Sequence, residues 1–152
     1  MPNFSRMKHV GIERPAKDRA IVHGFLDDHI YSMELEVEFS LPQYEITRIS
    51  GKMRRFTTPE CPRADEVLQQ AVGMRIEPGL REKVKRQIGR AGCRHYATLL
   101  NECCDALLSA SIGFARQDLE DEGLPSDTDS IRGRLLEIMP SLEGYCRVFT
   151  SK

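Results

Sequence analysis

No stretch of this sequence approaches the ~20 consecutive apolar residues that a bilayer-spanning helix requires. Met1 to Lys17 carries charges without the apolar run of a signal peptide, so no secretory leader is read there. The cytosol is therefore the expected compartment, with no membrane partner. Charge of one sign is also missing. The formal net charge is −1, which gives no global attraction to nucleic acid or to an anionic membrane. There is no phosphate-cradling glycine loop, no G-x-S-x-G elbow and no H-E-x-x-H pair. The run Gly89-Arg90-Ala91-Gly92 is too short to stand in for the first of these. A C-x-x-C pair, internal repeats and low-complexity segments are absent as well.

What remains is an ordinary globular composition. A chain of 152 residues, 40% hydrophobic and 30% charged, fits one domain able to bury a substantial core. Five cysteines, at 61, 93, 103, 104 and 146, are an odd number with no secreted-framework spacing. In a reducing compartment such residues are buried, metal-bound or reactive rather than paired in disulfides.

Periodicity divides the chain into three regions. Residues 1–17 read as an irregular lead-in closed by Glu13-Arg14-Pro15. Residues 18–115 read as an α+β core, and 116–152 as a polar loop with a short C-terminal helix and tail. The core opens with a strand from Ala20 to Leu26, interrupted by Gly24 and ended by Asp27-Asp28. The next, Met33 to Phe39, alternates strictly, with Met33, Leu35, Val37 and Phe39 on one face and three glutamates on the other. A third strand runs from Tyr44 to about Phe56, where Gly51 suggests a bulge or twist. The expected sheet is thus a three-stranded antiparallel meander with helices packed on one face.

Beyond residue 57 the period becomes helical. Ala64, Val67, Leu68, Ala71 and Val72 share one face, Pro62 suits the first turn, and Cys61 is then the candidate N-cap. A second helix carries Leu80, Val84 and Ile88, with Arg81, Lys83, Lys85 and Arg86 opposite. That basic face is either a solvated surface or a site for an anion or a protein partner. The longest helix starts near Cys93 and runs to about Phe114, and a short one spans Ile131 to Met139.

Two thiols therefore sit at helix starts, where unpaired N–H groups and the helix dipole favour a thiolate. Arg54, Arg55 and Arg63 lie near Cys61 in sequence and act in the same direction; His95 falls in the first turn beside Cys93. Asp28 or Asp27, at a strand end, can add a carboxylate, and His29 and His23 are further candidates. The bland alternative makes Cys61 and Cys93 small caps, His95 a hydrogen-bonded surface residue and the acidic pair a turn. Cys103 lies roughly 15 Å along the helix from Cys93, so Cys103 and Cys104 read as core residues. Cys146 has no evident partner.

The order of these features, with Thr58-Pro59-Glu60-Cys61 and Gly92-Cys93-Arg94-His95 as its most specific parts, resembles an uncharacterised bacterial family, domain of unknown function 2889, over roughly residues 4–115. More distantly the chain resembles the iron–sulfur scaffold fold of the IscU, NifU and SufE group. That likeness implies a site built from Asp28 (or Asp27), Cys61, Cys93 and His95. It also departs from the scaffolds, because Leu26 stands where they carry a cysteine.

Three readings follow. In the first, Cys61, Cys93, His95 and Asp28 bind a metal, for which zinc suits two thiolates, an imidazole and a carboxylate and an iron–sulfur cluster comes second. In the second, the protein is a sulfur carrier or thiol-dependent transferase with Cys61 as catalytic nucleophile. In the third it is an accessory protein without a site, binding a protein partner through the basic helix face.

Overall fold

The computed structural model describes residues 3–150. Its core is a four-stranded antiparallel sheet of strands β1 (Arg6–Ala16), β2 (Arg19–Asp28), β3 (Ser32–Ser40) and β4 (Glu45–Arg55), in that spatial order. The lead-in expected to be irregular is therefore mostly strand, and the meander has four strands rather than three. β1 escaped the sequence pattern for a physical reason. It is an edge strand with no fully buried side chain, so it carries no alternation to read. Pro15 is tolerated there because an edge strand has unpaired N–H positions.

The alternation in β3 is realised. Met33, Leu35, Val37 and Phe39 are buried, as are Ala20, Val22 and Leu26 of β2 and Ile46, Ile49 and Met53 of β4. Each of these except the smaller Ala20 contributes about 1.5–3 kcal/mol by leaving water. The glutamates of β3 face outward and are paired across strands: Glu34 with Arg54 at 2.6 Å and Glu36 with Arg48 at 2.9 Å.

Gly24 and Gly51 mark close packing rather than bulges. A Cβ on Gly24 would lie 2.6 Å from Cys103 Sγ, and one on Gly51 would lie 2.6 Å from Leu68 Cδ1 and 2.8 Å from the Tyr96 ring. The register of β3 with β4 shifts elsewhere, between Ser32 and Met33 and between Glu38 and Phe39.

After the sheet, Cys61–Ala71 winds as a 3-10 helix with Glu60 as its N-cap. Cys61 is thus the first helical residue and not the cap. At three residues per turn Leu68 and Ala71 stay on the buried side, whereas Val72, expected on the same stripe, is 45% exposed. Helix α1 (Leu80–Val84) continues into a π-turn, Lys85–Arg90. Helix α2 (Arg94–Asp121) starts where expected but continues through residues expected to be a loop.

Two compact units divide the chain, Met1–Ala106 and Leu107–Lys152. In the second, α3 (Thr128–Ile138) is capped by Asp127, whose Oδ1 accepts the amides of Asp129 at 3.0 Å and Ser130 at 3.1 Å. The tail, expected to be extended, forms 3-10 turns at Pro140–Leu142 and Arg147–Phe149. No helix among the described residues is long and apolar enough to cross a membrane.

Candidate functional site

The register brings four strand ends together. Arg6 pairs with Asp28 across β1 and β2, Asp27 with Ser32 across β2 and β3, and Ser32 with Arg55 across β3 and β4. β4 leads directly into Thr57, Thr58 and Cys61.

Asp28 is buried at this end. Its Oδ1 accepts the amides of Ile30 and Tyr31, both at 2.7 Å, and its Oδ2 accepts Arg6 Nε at 2.7 Å and Nη2 at 2.6 Å. Burial alone would raise the carboxyl pKa. The amides of Tyr31 and Ile30 and the Arg6 guanidinium outweigh it, leaving Asp28 below the ordinary range and ionised. Arg55 donates to the Asp28 carbonyl and pairs with Asp27 at 3.2 Å.

Tyr31, which the Asp28 carboxylate holds by its amide, links the remaining parts. Its ring lies on the buried His95 imidazole, with centroids 4.1 Å apart and planes tilted by 41°. Its hydroxyl is 3.3 Å from Thr57 Oγ1. Thr57 Oγ1 and Thr58 Oγ1 in turn lie 3.6 and 3.4 Å from Cys61 Sγ. Hydrogen bonds donated by Thr58, then Thr57, bring the Cys61 pKa down to about 7. Cys61 is half-buried, so this thiolate has access to solvent.

Neighbouring arginines do not produce that shift. Arg54 pairs with Glu34, Arg55 with Asp27, and Arg63 with Glu60 at 3.1 Å.

Cys93 precedes the first residue of α2, and its carbonyl accepts the Ala97 amide at 3.1 Å. Its sulfur lies 3.9 Å from His95 Nδ1. Burial, with Arg6 and Arg94 nearby, lowers the His95 pKa against the opposing pull of Asp28, so the imidazole is neutral near pH 7. A neutral ring can accept a thiol proton but lends Cys93 no positive charge.

The arrangement thus supplies an accessible thiolate at Cys61, a thiol–imidazole pair at Cys93 and His95, and a carboxylate at Asp28. These do not form one coordination group. No set of three or more His, Cys, Asp or Glu side chains among the described residues is disposed to hold a metal ion. Asp28, moreover, spends both oxygens on Arg6 and two amides. As they stand, the residues do not fit a four-ligand zinc site.

The other candidates take no part in the contacts just described, although His29 lines a surface pocket with Asp27, Asp28 and Arg55. His23 is on the outer face beside Glu13 at 3.2 Å and Glu36 at 3.7 Å, and His29 packs edge-on against Phe4. Cys103 and Cys104 are buried in α2; burial pushes Cys103 up to about 12 and Cys104 higher still. Cys146 is exposed.

Sequence reasoning missed Arg6, Tyr31, Thr57 and Thr58. Thr58 opens the Thr58-Pro59-Glu60-Cys61 motif and Thr57 precedes it, and hydroxyls three and four residues before a cysteine at a helix start are a readable signal. Arg6 gave none, because its strand had no pattern.

No curated protein and no solved structure matches the chain. The model of the family described as "Protein of unknown function (DUF2889)" matches residues 12–109, a span that contains Asp28, Tyr31, Cys61, Cys93 and His95. The chain belongs to the DUF2889 family.

Proposed function

We propose that this protein is a thiol-dependent sulfur carrier or transferase with Cys61 as its nucleophile. The observation that supports this reading is the Cys61 environment: a half-buried thiol, two threonine hydroxyls on its sulfur, and a pKa of about 7. Half of such a thiol is ionised at neutral pH, against a few per cent of an ordinary cysteine.

The chemistry is simple exchange. The Cys61 thiolate attacks the outer sulfur of a persulfide donor, forming a new S–S bond while the donor's S–S bond breaks. The donor leaves as thiolate and the proton stays with the transferred sulfur, so no oxidant is needed. Thr58 and Thr57 hold the attacking thiolate by donating hydrogen bonds, and Tyr31 orients Thr57. The resemblance to SufE-like proteins, which also place a cysteine between strand and helix, supports sulfur as the transferred atom.

Alkylation followed by mass spectrometry tests the reading. Cys61 is expected to label with a midpoint near pH 7 while Cys93 is spared, and to gain one sulfur atom from cysteine persulfide. A Cys61 that reacts no faster than a free thiol of ordinary pKa overturns it.

Metal binding is the second proposal, and the adjacent Cys93–His95 pair supports it. It requires Asp28 to exchange its present partners for an ion, or another ligand to replace it. Stoichiometric zinc in protein purified without an affinity-tag metal, lost in both Cys61→Ser and Cys93→Ser, would favour this reading. Equal stability of those variants and of metal-free protein would remove it.

A further inference from the structure

Away from Cys61, one concave surface carries more positive charge than its surroundings neutralise. The α1 helix, its π-turn and the first turns of α2 enclose a cavity of about 470 Å3. Arg81, Glu82, Lys85, Arg90, Arg94 and Asn101 line it. Arg81 is engaged by Asp105, but no carboxylate pairs with Lys85, Arg90 or Arg94 among the described residues. With Glu82 set against one of those three, two positive charges remain uncompensated.

The backbone beneath these cations is closely fitted. A Cβ on Gly89 would meet the Ala97 Cβ at 3.2 Å, and one on Gly92 would meet the Val67 Cβ at 2.9 Å. Only glycine permits that approach without displacement. The Cys93 amide reaches back to the Ile88 carbonyl at 3.0 Å, closing the wide turn that contains Arg90. Gly89-Arg90-Ala91-Gly92 is therefore a packed turn presenting Arg90, with Arg94 opening the next helix. Asn101 adds an amide whose Oδ1 is buried without a hydrogen-bond partner. Rotated by half a turn, that amide offers its NH2 to an anion.

We infer that this cavity binds a small phosphate-bearing molecule with two or more negative charges. Guanidinium forks match phosphate oxygens in bidentate geometry, and two arginines with a lysine supply both the fork and the charge. The volume lies within the range of about 300–1,000 Å3 typical of small-ligand pockets. Bringing a multivalent anion among three unpaired cations relieves their mutual repulsion, an effect that physiological salt weakens by screening charges beyond a Debye length of about 8 Å. The inference is independent of the Cys61 reading, since none of the residues just named touches that thiol.

Titration calorimetry with inorganic pyrophosphate, at low and at physiological salt, tests it. Saturable one-to-one binding is expected, weakened at least tenfold in Arg90→Gln and in Arg94→Gln. Lys83→Gln, on the same helix but outside the cavity, should bind as the parent does. Absence of saturable binding overturns the proposal, as does an equal loss in Lys83→Gln, which would mean unspecific charge attraction. A tetraglutamate peptide binding as tightly as pyrophosphate also overturns it and reassigns the face to an acidic protein partner. If the glutamine variants do not fold, the parent's melting temperature decides the matter. Pyrophosphate should raise it where sodium chloride of equal ionic strength does not, and no such rise counts against the site.

Discussion

Cys61 and Cys103 are the same side chain in opposite settings. Cys61 stands at the start of a 3-10 helix, half-buried, with hydroxyls of Thr57 and Thr58 on its sulfur. Cys103 is buried in α2 against the space left by Gly24, with no donor among the described residues to stabilise a negative charge. Their pKa values move apart, to about 7 and about 12. Hydrogen bonding to the ionised form lowers one, and loss of water raises the other. Cysteine reactivity here follows from whether a donor reaches the sulfur, and burial without one makes the thiol a packing group.

The largest expected effect breaks or upholds that contrast directly. Near pH 7, Cys61 should alkylate at least about a hundredfold faster than Cys103, even after the lower intrinsic nucleophilicity of a low-pKa thiolate is allowed for. Comparable rates measured by peptide mass spectrometry would dissolve the distinction.

Next in size is the support beneath the site. Asp28→Asn removes the ion pair with Arg6 and should cost about 1–3 kcal/mol in urea unfolding near neutral pH. The pH dependence has a definite sign. Asp28 has a lowered folded pKa, so its contribution is present above the unfolded value of about 3.9 and is lost as pH falls through the folded one. The gap between parent and variant should therefore be widest near pH 7 and should close in acid. A gap that stays constant down to the acid limb would show that the carboxylate charge does not matter.

A smaller effect sharpens the role of the hydroxyls. Thr58→Val should raise the Cys61 pKa by about one unit, read from the pH dependence of alkylation. Tyr31→Phe, which removes only the group behind Thr57, should shift it in the same direction by less. Smallest of all, Tyr96→Phe should change stability by no more than about 1 kcal/mol, because the buried Tyr96 hydroxyl has no partner among the described residues to lose. A larger loss would reveal a partner.

Parts of this were legible in the chain. The alternation of Met33–Phe39 placed β3 and its buried face, and Pro62 and Gly92-Cys93 marked two helix starts. The core assignment of Cys103 and Cys104 followed from helical spacing. β1 is not legible, since this edge strand has no buried side chain to set a pattern, and with it goes Arg6, the partner of Asp28. Gly24 reads as an interruption and Gly51 as a bulge or twist because sequence cannot tell either from the close approach of Cys103, Leu68 or Tyr96. Proximity in sequence gives Arg54, Arg55 and Arg63 a pKa effect on Cys61, yet strand pairing directs the first two to Glu34 and Asp27, and Arg63 turns to Glu60.

Sequence by itself determined the α+β class, the sheet's buried face and the thiols at helix starts, because periodicity and capping are local properties. Tertiary structure decided which chemistry those thiols have. Tyr31 meets Thr57 and His95 across long sequence gaps only when β2, β4 and α2 are assembled, and a hydrogen bond or a buried charge exists only once its partner is in place.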